Sequence, residues 1–126
     1  MHERAITAML LVVAVIHLLP FSGFFSAERL IILYRVEALD SNLEILMRHR
    51  AVLFGVLGAF LAYAAFKPLL QPVAMLAGSV SVASFLYLCF TVGHFNEAIR
   101  NVVVADLVAS VSLALAIALH LTRPSV

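Results

Sequence analysis

Apolar residues in this chain run in long blocks and do not alternate with polar ones. Four blocks stand out, at residues 5–21, 51–66, 73–92 and 102–121. The first is broken only by Thr7 and His17, and the second carries no charge. The third holds serines, Tyr87, Cys89 and Thr91 as its polar interruptions, and the fourth contains Asp106 and His120. A helix that crosses a bilayer needs about 20 predominantly apolar residues, with roughly 17 as the lower end. The pattern predicts four transmembrane helices, over residues 5–22, 49–66, 73–92 and 101–121.

The second block lengthens once its start is considered. Ser41-Asn42-Leu43-Glu44 fits a capping box, in which serine and glutamate side chains satisfy each other's free backbone N–H groups. A helix beginning there runs through Arg48-His49-Arg50 and stops at Lys67-Pro68, where proline forbids continuation. At about 1.5 Å per residue such a helix is long enough to span. The basic triplet then lies at headgroup depth, where arginines can extend their charged ends to water.

Residues 26–39 mix Glu28, Arg29, Arg35 and Glu37 with Leu30, Ile31, Leu33, Tyr34 and Ala38. This reads as an amphipathic helix lying at the interface or over the mouth of the bundle. Residues 67–72 form a tight turn, and residues 93–100 join the third and fourth spans. Short connections make sequential helices antiparallel neighbours. The expected fold is therefore all-α: one domain over residues 1–126, a four-helix transmembrane bundle with an interfacial helix between the first and second spans. Small residues recur four apart at Ala51, Gly55 and Ala59, at Ala74 and Gly78, and at Ser110, Ala114 and Ala118. In lipid such stripes let helix backbones approach closely. They are read as packing within the bundle, with a homo-oligomer interface as the alternative.

Composition strengthens the membrane reading. The 126 residues are 64% hydrophobic and 12% charged, with a mean hydropathy of +1.11. A soluble domain is nearer half apolar and a quarter charged, and one this small cannot hide the excess. The net charge of +1, without a polybasic run, excludes nucleic acid as a partner. Cys89 is the single cysteine, so an internal disulfide or a CxxC motif is excluded, and it is expected to pack as a small hydrophobe. Arg4 before an apolar stretch resembles a secretory signal, but Phe21 and Phe25 stand where cleavage needs small residues. The segment is expected to be a retained helix. Arg29, Arg35, Arg48, Arg50 and Arg100 fall on one side and Arg4, Lys67 and Arg123 on the other, which favours a cytoplasmic first loop.

Antiparallel topology also gathers the polar residues. The first span ends near His17, the second begins at Arg48-His49-Arg50, the third ends at His94, and the fourth begins at Asn101 with Asp106 just inside. All these ends share one side; the other offers little beyond Lys67, Gln71, His120 and Arg123. Ser81, Ser84, Tyr87, Thr91 and His94 recur at spacings of three and four, so this face of the third helix is expected to point inward. Asp106 is the one carboxylate inside an apolar span, and Arg48, Arg50 and His94 are its expected partners. The candidate ligand site is thus His17, Arg48, His49, Arg50, Tyr87, Thr91, His94, Asn101 and Asp106. No HxxxH or HExxH spacing is present, but His17 and His94 from facing helices are the pair that a haem or a transition metal would use. Arg48 and Arg50 suit a lipid phosphate, a carboxylate or a quinone oxygen, or simple anchoring at the headgroups. No P-loop, GxGxxG or GxSxG element exists to hold a nucleotide or a serine nucleophile.

The chain resembles the DoxX-like group of small four-helix bacterial membrane proteins. The resemblance rests on His17-Leu18-Leu19-Pro20, Leu33-Tyr34, the segment from Leu46 to Gly55 (LMRHRAVLFG), Gly93-His94-Phe95-Asn96 and Asp106. It covers essentially the whole chain and implies the architecture and a bacterial inner membrane, without assigning an activity. Similar sequences labelled pantetheine-phosphate adenylyltransferase offer no guide, because that soluble α/β enzyme needs a histidine-rich nucleotide signature absent here. The leading functional expectation is a non-catalytic accessory subunit, or a binder of lipid or a small hydrophobic ligand. Its partners would be membrane lipid, other membrane subunits or a second copy. The alternatives are a haem or metal redox protein using His17 and His94, and a lipid isomerase resembling the emopamil-binding proteins.

Overall fold

The structure is a computed structural model that describes residues 1–37 and 39–124. Among these residues are five α-helices: α1 (His2–Leu18), α2 (Ala27–Tyr34), α3 (Ser41–Ala64), α4 (Gln71–Val92) and α5 (Glu97–Leu121). Short 3-10 turns at Leu19–Phe24 and Pro68–Leu70 complete the chain. Four segments are long and apolar enough to cross a membrane: His2–Phe24, Ser41–Ala64, Pro68–Val92 and Glu97–Leu121.

The helix ends differ from expectation for local reasons. Pro20 breaks α1's α-helical hydrogen-bond ladder, so the chain tightens into the 3-10 turn before α2. Helix α3 is capped by Asp40, not by Ser41: the Asp40 carboxylate accepts from the Leu43 N–H at 2.8 Å. Aspartate caps as well as serine does, and starting one residue earlier adds a hydrogen bond, from Glu44 N–H to Asp40 C=O at 2.9 Å. The Glu44 carboxylate is thereby released to pair with Arg48 at 3.2 Å. Helix α2 starts at its Ser26 cap but stops at Arg35, whose φ of 50° is left-handed, so Leu39 lies outside the helix; Ala38 is outside the described residues. Gly93 closes α4 with a φ of 79°, a conformation glycine adopts without strain. Asn96 then caps α5, accepting from Ile99 N–H at 2.9 Å, so the fourth helix begins four residues before the expected 101.

The four long helices form a ring in which α1 touches α3 and α5, and α4 touches α3 and α5. Ile6, Leu10, Val13 and Leu61 are wholly buried at its centre, with Ala74, Ala109 and Ala116 closing around them. Outward-facing positions are apolar as well: Leu69 is 94% exposed, Phe90 86% and Leu121 77%.

The small-residue stripes are only partly interior. Ala51, Gly55 and Gly58 face α1 and the turn after it, and Ala74 and Gly78 are buried. Ala59, Ala114 and Ala118 are exposed. Four residues turn a helix by about 400°, so a strict four-residue stripe rotates off the buried face within two steps.

Candidate ligand pocket

At the polar end the helices leave a cavity of about 430 Å³, within the roughly 300–1,000 Å³ of small-molecule sites. Helix α1 contributes Ile16 and His17, and the turn after it Leu19 and Pro20. Helix α2 roofs the cavity with Ile32, Leu33 and Tyr34, while α3 supplies Arg50 and Phe54 and α4 supplies Phe85. The floor comes from α5, through Ala98, Asn101, Val102, Ala105 and Asp106. The walls are mainly apolar, with a few polar groups converging on the interior.

His17 is buried and fixed at both ring nitrogens. Nδ1 donates to the Val13 carbonyl at 2.9 Å, since a carbonyl can only accept. In the neutral ring Nε2 then accepts from the Ser81 hydroxyl at 3.0 Å, a bond that crosses the bundle from α1 to α4. Ser81→Ala is expected to destabilise the protein by about 1–2 kcal/mol, because it orphans a buried acceptor. Thermal unfolding in detergent would show this, with Ser81→Thr recovering most of the loss.

Arg50 is held as a flat donor surface. Its guanidinium carbon lies 4.5 Å from the Phe54 ring centroid and 5.6 Å from that of Tyr34. One Nη1 hydrogen is donated to the Tyr34 hydroxyl at 3.1 Å. Phe54 is four residues on from Arg50, so the stacking follows helix periodicity.

Asp106 is the buried acid of the pocket, at 9% exposure. Its backbone carbonyl accepts from Ser110 at 2.8 Å, but its carboxylate has no protein partner among the described residues. The ion pair expected with Arg48, Arg50 or His94 does not form. Arg48 is turned away, its Nε donating to the Phe24 carbonyl at 2.8 Å and its Nη1 pairing with Glu44. Arg50 is committed to the two rings and faces Asp106 across the cavity, and His94 is exposed in the α4–α5 connection.

Of the nine residues expected at this site, His17, Arg50, Asn101 and Asp106 line the cavity. Arg48, His49, Tyr87, Thr91 and His94 do not, and the last four are exposed. The polar stripe on α4 turns outward because successive steps of three residues rotate it by about 60° each. Only Ser81 reaches the interior. Ser84 and Thr91 instead return hydrogen bonds to their own helix, to the Ser81 and Tyr87 carbonyls at 2.9 and 3.0 Å. His17 and His94 are not brought together, and no group of three or more His, Cys, Asp or Glu side chains is arranged to hold a metal among the described residues. Among the described residues Asp106 is the one carboxylate lining the cavity, whereas carbocation chemistry of the isomerase kind calls for more than one.

Residue order alone did not reveal Tyr34, Phe54, Phe85 or the clamp at Asn96. The Asn96 amide donates to the Tyr34 and Arg35 carbonyls at 2.8 and 3.0 Å, satisfying the open end of α2 while its oxygen caps α5. This fastens the roof of the pocket to its floor. Asn96→Ala is expected to cost about 2 kcal/mol, from a lost cap and two lost bonds. Hydrogen exchange should then rise selectively in α2 and the first turn of α5.

The opposite end is not bare. Gln71 is buried and donates to the Ala65 carbonyl at 3.2 Å, which also accepts from Thr7 at 2.8 Å. This knot joins α1, the α3 terminus and α4. No family model, curated protein or solved structure matches the chain.

Proposed function

We propose that the chain is a multi-pass integral membrane protein of the DoxX-like kind, seated in a bacterial cell membrane, that binds a small amphiphilic molecule in the pocket at its polar end. The observation that carries the binding reading is the cavity itself: apolar walls with His17, Arg50, Asn101 and Asp106 directed into it. The membrane reading is supported by four predominantly apolar helical segments of 23 to 25 residues and by their outward-facing Leu, Val and Phe side chains. Its role is binding or subunit support. The chemistry on hand is a fixed imidazole, a stacked guanidinium and one carboxylate, which orient a ligand and form no nucleophile–base pair.

Native mass spectrometry of the protein extracted in a mild detergent tests this. One small amphiphile per chain is expected, lost in Val102→Trp, where the indole fills the cavity from a half-buried position. Wild-type protein that carries no bound mass, and takes none up from added membrane lipid extract, would overturn the reading. Membranes washed in alkaline carbonate should retain the chain; its release would overturn the membrane assignment.

A further inference from the structure

The pocket does not end at its floor. A second cavity of about 540 Å³ lies between α1 and α5, lined by Leu11, Val12, Val15, Ile16, Ala105 and Val108, without a polar group. Ile16 and Ala105 line both spaces, so the two adjoin at these side chains. From Ile16 the groove follows α1 back to Leu11, about 7.5 Å at about 1.5 Å per residue. On antiparallel α5 it passes from Ala105 to Val108 in the same direction, away from the polar end. Val12, Val15 and Val108 are 41%, 55% and 50% exposed, so the groove opens sideways along its length. An apolar trough that parallels the helix axes, and starts at a polar pocket near one helix end, has the orientation of a lipid chain below its headgroup.

The pocket constrains the head. Arg50 and the nine-tenths-buried Asp106 face the same cavity, unpaired with each other. A net anion is drawn to one and repelled by the other, and a net cation likewise. A neutral head that offers an oxygen acceptor to Arg50 and a hydroxyl donor to Asp106 satisfies both groups. Arg35 also lines the cavity, but at an exposed position where solvent screens its charge. The groove is one strip between two helices and takes one chain.

We infer that the ligand is a single-chain lipid with a neutral, hydroxyl-bearing head, whose chain leaves the pocket between Ile16 and Ala105 and lies in the α1–α5 groove. This rests on the pocket being a ligand site, as proposed above.

Full-length protein in phosphatidylcholine nanodiscs would be labelled with three photoreactive lipids bearing a mid-chain diazirine: monooleoylglycerol, oleate and oleylamine. The monoacylglycerol is expected to label peptides containing Leu11, Val12, Val15 and Val108, about tenfold more strongly than the charged pair, as suits a hydrogen bond to a charged group. Asp106→Asn should cut monoacylglycerol labelling several-fold and raise that of oleate, since Arg50 is then unopposed. Ala105→Phe should abolish groove labelling; Val12→Trp, at an exposed position, gives the same test if the first variant does not fold. Equal labelling by the three heads, or labelling spread evenly around the bundle, would overturn the inference. Labelling confined to Ile32 and Leu33 overturns the groove route and leaves the pocket occupied, whereas no protected labelling by any lipid overturns the pocket reading with it.

Discussion

Gly58→Leu is expected to prevent stable assembly of the bundle. A Cβ at this position would sit 2.7 Å from Leu18 Cγ, 2.9 Å from its Cδ2 and 3.1 Å from the Ala14 carbonyl oxygen. Leu18 has room to move, since it is partly exposed, but the Ala14 backbone does not. Gly58→Ala alone should therefore cost about 1–3 kcal/mol through overpacking. The larger leucine forces α1 and α3 apart, opening the contacts of Ala14 and Leu61 as well, and should exceed about 3 kcal/mol. Ala59→Leu, one residue on but exposed, should stay within about 0.5 kcal/mol of wild type. Denaturant titration of helicity in detergent micelles reads both. Equal effects at 58 and 59 would mean that α3 presents a different face to α1.

The second large effect concerns charge. Arg50→Met should lower stability by about 2 kcal/mol, since it removes the hydrogen bond to the Tyr34 hydroxyl, the stacking on Phe54 and a positive field across the cavity from Asp106. The Arg50 guanidinium shares the cavity with Asp106 and ties Phe54 to Tyr34, whereas Arg35, which also lines it, is exposed. Removing it weakens the positive field at the Asp106 carboxylate and frees the α2 roof. The double variant Arg50→Met/Asp106→Leu should recover part of the loss, because it removes the carboxylate too. Ligand retention should fall in both. A double-mutant cycle on thermal stability checks this, with a coupling of at least about 1 kcal/mol expected. Additive losses would show that the two charges do not sense each other.

Both expectations rest on features read differently from the sequence than from the structure. The four long helices were legible because uninterrupted apolar blocks of bilayer length leave no competing period. The gathering of polar groups at one end followed from antiparallel order alone, and His17, Arg50, Asn101 and Asp106 do meet around one cavity. The polar residues of α4 do not share one inward face, because spacings of three and four do not keep side chains in line over several turns. The rotation they accumulate carries Tyr87 and Thr91 outward and leaves Ser81 alone inside. The expected pairing of Asp106 with an arginine does not occur because both arginines are held elsewhere: Arg48 by the Phe24 carbonyl and Glu44, Arg50 by Phe54 and Tyr34. The spacing of Arg50 and Phe54 held that information; the contacts of Asn96 with α2, which span 61 and 62 residues, left no local trace.

The proposed four-span arrangement puts the pocket end and the Gln71 end of the bundle on opposite sides of a membrane. Single cysteines placed in a Cys89→Ala background test this with a membrane-impermeant maleimide applied to sealed vesicles of known orientation. Asn42→Cys and Phe95→Cys, beside the pocket end, should be modified together from one side. Leu69→Cys and Pro124→Cys should be modified only from the other, and Val80→Cys, exposed at mid-helix, from neither. Modification of residues 42 and 69 from the same side, or of residue 80 as readily as residue 69, would contradict the four-span bundle.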